Sequence, residues 1–549
     1  MKHYCIACFF LVLVAGGSSW GSVPSGASSP LRTDFQETLW RYAASAGSNP
    51  SFLSGMECGR ISYLQAEGSY GSGKLVNYYQ SDSRLGGLVS TESYWRLNSR
   101  LVLGGAMAYG TEKGKHMSGS AFLHPEEIPF DIVEMDDSGA GTKRHEWYML
   151  KGEAGYLLTP RLSWGGQLEY RTENYAKFKD LRHQNSLMNL HLSTGFSYEL
   201  FSGWQVGLSY GYLRNVETVG FGIYGTTDRQ YTSLISFGGF YGRSEVFGES
   251  GYTSNTTPLF TQTHEAAFQG QYHRGDLHWF QEVFIRKTSG RFGSGSSTSI
   301  TYSTHTGSEV GYRTKLTWQQ SRLFQAMELG IALKSLENRE NSYKESTDGL
   351  GVSQIVYYGS NEVMSRKQLR AWLAYQLLSG GKESRSDWSA EVRMDYRSRS
   401  VTASQYPFFR KQSLHVTGLW LQGARNWYKG RQVWTASAGL DLQGGWGCMK
   451  EDGQYASVSE DQQRPAERAD LLVEEYDYQT AVRLVPYAAV GYEREITSAL
   501  SGYVRCEVMY ARAFTTTMAG KDFVQPVIKV GVKSVSYTHL RAHETSAHL

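Results

Sequence analysis

The 549-residue chain has little proline (11 residues), little cysteine (5) and no excess of either charge, with 55 Lys and Arg against 52 Asp and Glu. Each shortage excludes something. A formal charge of +3 leaves no basic stripe of the kind a nucleic-acid partner requires. A mean hydropathy of −0.43 excludes a protein of many membrane-crossing helices, each of which needs about 20 apolar residues. So few cysteines make no disulfide framework. What the chain does have is 60 glycines, 37 tyrosines and an aromatic share of 13%, the composition of many glycine-softened strands.

The two ends read differently from the rest. Lys2 and His3 precede an apolar run from Tyr4 to Ala15, and the small residues Ser19 and Gly21 follow it. Residues 1–21 are expected to be a signal peptide cleaved after Gly21, too short to persist as a spanning helix. Cys5 and Cys8 lie inside the apolar run, so the exported chain keeps only the widely spaced Cys58, Cys448 and Cys506. At the other end the strand pattern stops after Lys533, and residues 535–545 resemble the in-frame translation of a transposase sequencing adapter. On that resemblance residues 534–549 are a non-native tail, and no function is assigned to its histidines.

Between residues 59 and 533 the pattern has period two, which is the signature of half-buried strands. Leu190, Leu192, Phe196, Tyr198 and Leu200 share one face while His191, Ser193, Ser197 and Glu199 share the other. After the turn Phe201-Ser-Gly203 the pattern returns with Trp204, Val206, Leu208 and Tyr210 opposite Gln205 and Ser209. Trp388, Ala390, Val392, Met394 and Tyr396 oppose four charges, Glu391, Arg393, Asp395 and Arg397. A soluble sandwich also alternates. Short turns taking turns with long polar loops, aromatics at the ends of the apolar faces, and export without a spanning helix together select a transmembrane antiparallel up-and-down β-barrel. Strands are expected near residues 60–70, 85–95, 101–111, 147–158, 162–171, 190–200, 204–213, 264–273 and 277–286. The others fall near 308–318, 323–334, 368–377, 388–397, 414–427, 433–446, 480–492, 499–510 and 524–533. That is about 18 strands, with about 16 as the alternative count, short turns in the periplasm and long loops outside. Residues 231–241 are strand-like but are assigned to an external excursion over 214–263.

Two stretches carry a family resemblance: Leu39-Trp40 through Ser48-Asn-Pro50, and Trp164-Gly-Gly-Gln-Leu-Glu-Tyr-Arg171 leading to Asn174-Tyr-Ala-Lys-Phe-Lys-Asp-Leu-Arg182. They are similar to a family of Bacteroidetes-type outer-membrane β-barrel proteins of unknown function, from which the chain departs by having Leu181 where a proline is expected. The resemblance implies fold and location, and carries over no catalytic residue.

The remaining features each have two readings. Residues 22–58 form an N-terminal segment in which Thr33 or Asp34 caps a short helix bearing Phe35, Leu39 and Tyr42 on one face. It is either a small plug for the barrel or an unstructured periplasmic lead. The loop His124 to Asp137 gathers six carboxylates and is read as solvated, with Ca²⁺ or lipopolysaccharide bridging as the alternative. Asp180 and Arg182 form a surface pair or a loop latch, and His183 and His191 follow closely enough to raise a hydrolase. The lumen is expected to be lined by Arg171, Glu309, Arg313, Lys315, Glu328, Arg370, Glu391, Arg393, Asp395, Arg397, Arg505 and Glu507. Those cations would select anions if left free, or pair with neighbouring carboxylates across the strands.

The sequence therefore describes a monomeric outer-membrane barrel, not an enzyme, with no cofactor, acting as a pore or transporter for small polar solutes. Its partners are outer-membrane lipid, lipopolysaccharide and the barrel assembly machinery. The rival is a non-conducting structural, secretion-accessory or surface-binding barrel, and a more distant one is an outer-membrane hydrolase. The mature protein should fractionate with the outer membrane and migrate faster in gels before boiling than after; recovery from the soluble periplasm would contradict the barrel.

Overall fold

The computed structural model describes residues 30–56 and 59–536, apart from 227, 250, 255, 297–298, 348–352, 381–384, 460–461 and 516. The expected signal peptide, Cys58 and residues 537–549 lie outside the described residues, whereas 534–536, expected to begin a non-native tail, continue the last strand and pair with the first. The first strands are β1 (Arg60–Gly73), β2 (Ser83–Arg96), β3 (Leu101–Met117), β4 (Asp131–Glu134), β5 (Gly141–Thr159), β6 (Leu162–Lys177), β7 (Arg182–Phe201) and β8 (Trp204–Gly222). There follow β9 (Thr232–Ser236), β10 (Tyr241–Val246), β11 (Thr257–Arg274), β12 (Leu277–Gly293), β13 (Thr301–Gln320), β14 (Leu323–Thr347) and β15 (Ser353–Ser379). The chain ends with β16 (Trp388–Gln405), β17 (Phe408–Lys429), β18 (Gln432–Gln454), β19 (Ala466–Glu467), β20 (Arg483–Thr497), β21 (Leu500–Ala513) and β22 (Asp522–Ser536).

Eighteen of these strands form one antiparallel sheet that closes on itself, because β1 pairs with both β2 and β22. Each expected segment overlaps one of them. The short connections are tight because glycine supplies the positive φ they need: Gly203 at +85° and Gly275 at +60° turn the chain between β7 and β8 and between β11 and β12.

The barrel is a transmembrane one, and its outer face shows why. Phe196, Leu208, Phe268 and Val283 are cross-strand partners on four neighbouring strands, and they are 50%, 64%, 54% and 51% exposed. The next residue inward, Gln269, is wholly buried. A surface with apolar side chains out and polar ones in is stable only in hydrocarbon.

The strands rise further on the loop side than expected. Residues 214–222 continue β8 and pair with β11 from Thr257 onward, so the excursion spans 223–256 rather than 214–263. The ladder persists because it satisfies the backbone above the bilayer as well as within it. Inside the excursion, the strand-like stretch becomes β9 and β10, which join β4 and β19 in a separate four-stranded sheet. This sheet is a cap. Phe122, Phe130, Ile132, Ile235 and Phe237 from the loops pack against Val219, Leu259, Phe292, Leu336, Met364, Val401 and Phe408 from the wall. Leu471 and Leu472 of the helix α2 (Ala469–Thr480) pack on Val133, Leu234 and Phe240 from the other side.

A folding test follows from the parity. Leu208→Arg should impair assembly far more than Ser209→Arg, because an arginine at the bilayer midplane costs about 2–4 kcal/mol, whereas Ser209 Oγ accepts from Gln269 Nε2 at 2.9 Å on the other face. Equal yields of heat-modifiable protein would reverse the assignment of faces.

Candidate functional site

The N-terminal segment sits within the barrel at the short-turn end. Asp34 caps helix α1 (Phe35–Arg41), accepting from the N–H groups of Gln36 and Glu37 at 2.9 and 3.1 Å. Phe35 packs edge-on to Tyr63 of β1, and Trp40 lies against Phe324, Ala326 and Leu378. Further along, Ser48 donates from both N and Oγ to Glu282 of β12, at 2.8 and 3.0 Å. Asn49 is the hub: its Nδ2 donates to Phe196 O, Leu208 O and Gln269 Oε1, while its Oδ1 accepts from Ser51 N. These contacts reach strands on opposite sides of the barrel, so residues 30–56 lie across its inside, in the position of a plug.

Its closest approach is backbone against backbone. Gly155, Gly165, Gly195 and Gly207 lie on four consecutive strands, β5 to β8, and a Cβ on any of them would overlap the plug between Asn49 and Ser54. Gly165 meets Pro50 and Ser51 themselves. The two stretches that carried the family resemblance therefore touch each other.

A cluster of charges fixes the plug rim. Arg385 Nη1 and Lys533 Nζ both donate to Glu493, each at 2.6 Å, and Lys533 also donates to Thr33 O at 2.7 Å. Ser386 donates from N and Oγ to Glu37 at 2.9 and 2.5 Å. Burial works to raise the Asp34 carboxyl, but the charges of Arg385 and Lys533, with its helix-capping bonds, hold it below the ordinary range. Burial and the nearby Asp34 charge push Glu37 the other way.

The loop His124 to Asp137, expected to be solvated, instead folds into the cap. Asp131 is buried, accepting from Ser120 Oγ at 2.5 Å and Tyr78 OH at 3.1 Å, and burial pushes its carboxyl up to about 6. Glu134 pairs with Lys177, Asp136 with Arg229 at 2.9 Å, and Asp137 with Arg468 at 3.2 Å. The apolar anchors Phe122, Phe130 and Ile132 draw Asp131 inward, while Asp136 and Asp137 stay exposed and meet cations at the surface of the cap. Asp180 pairs with Arg182 at 2.9 Å and accepts from the N–H groups of Tyr224 and Gly225. His183 bonds Asn185 under the cap, and His191 lies eight residues further down β7, so Asp180 and the two histidines do not converge.

All twelve residues expected to line the lumen fall on the parity opposite the exposed apolar residues. Most of the charges are spoken for. Arg171 pairs with Glu173 at 2.9 Å, Arg313 with Glu282 at 2.8 Å, and Glu309 with Arg286 at 3.3 Å. Arg393 pairs with Asp395 at 3.0 Å, and Arg505 with Glu507 at 2.7 Å. Lys315 donates to Ser45 Oγ of the plug at 3.0 Å. Glu328 and Glu391 accept from Trp372 and Gln376, each at 3.4 Å. Two remain. Arg370 and Arg397 are directly opposed on β15 and β16, both exposed, and neither has an ion pair or side-chain hydrogen bond among the described residues.

Residues 50–533 match the pattern of a protein family. The chain belongs to DUF6850, a family of unknown function. No curated protein matches it. Three solved barrels are distantly similar to this DUF6850 chain. The ferric preacinetobactin receptor BauA of Acinetobacter baumannii is 9% identical with a TM-score of 0.35, covering 86% of this chain and 80% of its own. The outer membrane transporter YddB of Escherichia coli is 7% identical with a TM-score of 0.38, covering 86% and 80%. The FrpB iron transporter of Neisseria meningitidis is 7% identical with a TM-score of 0.37, covering 89% and 84%.

The glycine contact gives a test in this DUF6850 barrel. Gly165→Leu should push the plug off the wall and expose Arg41 to trypsin in the detergent-solubilised, heat-modifiable protein. Gly166→Leu, on the outer face, should leave cleavage at the wild-type rate, since a Cβ there approaches only Trp164, at 3.5 Å. Matching rates in the two variants would mean that the plug does not depend on this contact.

Proposed function

We propose that the protein is a gated transporter of the Gram-negative outer membrane for small polar solutes that carry negative charge, closed by the plug and the cap together. The observation that carries this reading is the Arg370–Arg397 pair. Like charges on directly paired positions repel, and although Asp441 lies near enough to Arg397 to feel its charge, no carboxylate forms an ion pair with either guanidinium among the described residues. An arriving oxyanion offsets that repulsion, and guanidinium forks bind carboxylate, sulfate and phosphate in two-point contacts. A plug at one end and a cap at the other support gating rather than an open pore. An 18-stranded barrel with neither would hold a water-filled channel.

In this reading the twelve inward-parity residues line the lumen, and the paired ones set its shape while Arg370 and Arg397 select the solute. The protein enters by way of a cleaved signal peptide, is inserted by the barrel assembly machinery, and works as a monomer among lipid and lipopolysaccharide without a catalytic role. The cap core favours a second reading, a closed barrel that binds a surface partner, because Phe122, Phe130, Ile132, Ile235 and Phe237 bury the mouth in one continuous apolar cluster.

Planar bilayers separate the two. Wild-type protein should be silent, and low urea, which weakens the apolar and polar contacts of plug and cap before the strand ladder gives way, should produce discrete reversible openings that favour anions. Arg370→Ser with Arg397→Ser should lower that preference several-fold while leaving heat-modifiable migration unchanged. Silence at every sub-denaturing urea concentration would favour the closed surface-binding barrel. Openings without anion preference would leave a transporter and remove the anionic solute.

A further inference from the structure

The outer wall carries a feature that solute transport does not use. Along β12 to β17 one cross-strand row reads Lys287, Ser308, Ser335, Lys367, Ser400 and Ser413, each residue the direct partner of the next. The row lies on the lipid-facing parity. One step nearer the short turns, the same face carries Ile285, Val310 and Leu333, which are 46%, 47% and 53% exposed, together with Leu369. A concavity of about 470 Å³ runs over both rows. Hydrocarbon-facing side chains thus give way, within one pleat, to hydroxyls and ammonium groups.

Aromatic residues set the height of this boundary. On one side Tyr212 and His264 are ring neighbours 5.3 Å apart, and His264 is the β11 partner of Lys287. On the other side, His415 stacks on Trp446 at 5.5 Å and 12°, and the Tyr396 hydroxyl bonds His415 Nδ1 at 2.9 Å. Amphipathic rings gather where headgroups meet hydrocarbon. Because this end of the wall bears the long loops and the cap, the headgroups here belong to the external leaflet.

The charges are arranged for an anion at that level. Lys287 and Lys367 are both exposed, and neither has an ion pair or side-chain hydrogen bond among the described residues. Glu337 projects from the same face one pair further up β14, above the row, and the row itself contains no carboxylate. Between the lysines, Ser308 Oγ and Ser335 Oγ lie 2.9 Å apart and bond each other. The two lysines are three strand steps apart, about 14 Å at the usual strand spacing. That is the reach of a disaccharide with a phosphate at each end.

We infer that this groove is a binding site for a bis-phosphorylated, multi-acyl glycolipid of the lipid A type. The ammonium groups of Lys287 and Lys367 each take one phosphate, and the Ser308 and Ser335 hydroxyls face the sugars. The acyl chains run down over Ile285, Val310, Leu333 and Leu369. The site depends on the membrane barrel and on its orientation, and is independent of whether the lumen conducts.

Native mass spectrometry of the detergent-purified protein tests it, with diphosphoryl lipid A, monophosphoryl lipid A and phosphatidylglycerol as probes. Diphosphoryl lipid A should bind most tightly. Lys287→Ala with Lys367→Ala should weaken it at least tenfold, to below the level of the monophosphoryl form on wild type, whereas Lys287→Arg with Lys367→Arg should retain it. Arg494→Ser, at the short-turn end of β20, should have no effect. The inference is overturned if the double alanine variant, still heat-modifiable, binds diphosphoryl lipid A as tightly as wild type. It is equally overturned if phosphatidylglycerol binds as well as diphosphoryl lipid A.

Discussion

The structure depends on the closure of β1 against β22. In hydrocarbon an unpaired backbone N–H or C=O has no water to turn to, so a sheet can cross a membrane only when its first and last strands satisfy each other. The register from Arg60 with Ser536 to Gly73 with Phe523 does this, and every other feature hangs on the cylinder so formed. The alternation of faces, the inward plug and the outward lipid surface have meaning only once there is an inside.

Given an inside of this width, filling it is the next problem, and the chain solves it differently at the two ends. At the short-turn end a single segment is held by apolar contacts with the wall, Leu53 and Met56 with Ile61, Tyr94 and Val102, and Phe52 with Phe280, by close packing on Gly155, Gly165, Gly195 and Gly207, and by Asn49, which satisfies groups on three strands. The contact is both apolar and polar. At the loop end the cap has an apolar core shared with the wall, from Phe130 through Phe292 to Met364. Apolar burial stabilises by roughly 25 cal/mol per Å², so both closures draw on it, and the plug adds polar contacts through Asn49 and Ser48.

Charge follows the same division. Buried cations in this chain either pair, as Lys533 and Arg385 do with Glu493 and Arg399 does with Glu475 of the cap helix, or donate to oxygens, as Lys143 and Arg366 do to loop carbonyls, because an unsatisfied ion away from water costs several kcal/mol. Arg370 and Arg397 inside and Lys287 and Lys367 outside have no such partner among the described residues and are exposed, where leaving them single is tolerable. Exposed and unpaired is the state in which a cation can meet a ligand. That contrast separates the binding surfaces from the structural ion pairs.

The sequence by itself determined the barrel strands and their two faces, and put their number at about 18 with 16 left open until the sheet closed. Period two is local: Leu208 points away from Ser209 whatever the rest of the chain does, and eighteen such segments with short and long connections in turn admit one architecture. The helix after Asp34 was legible for the same reason, since a cap bonds within one turn. What tertiary structure alone decided is where the intervening loops go and which charges meet. Glu134 reads as one of six loop carboxylates until Lys177 is brought to it, and Arg370 and Arg313 look alike until register gives Arg313 the carboxylate of Glu282 and Arg370 another arginine. The row from Lys287 to Ser413 is spread over more than a hundred residues of chain and exists only as a product of five pairings. Register between distant strands is a global property, fixed by closure of the whole barrel rather than by any one segment.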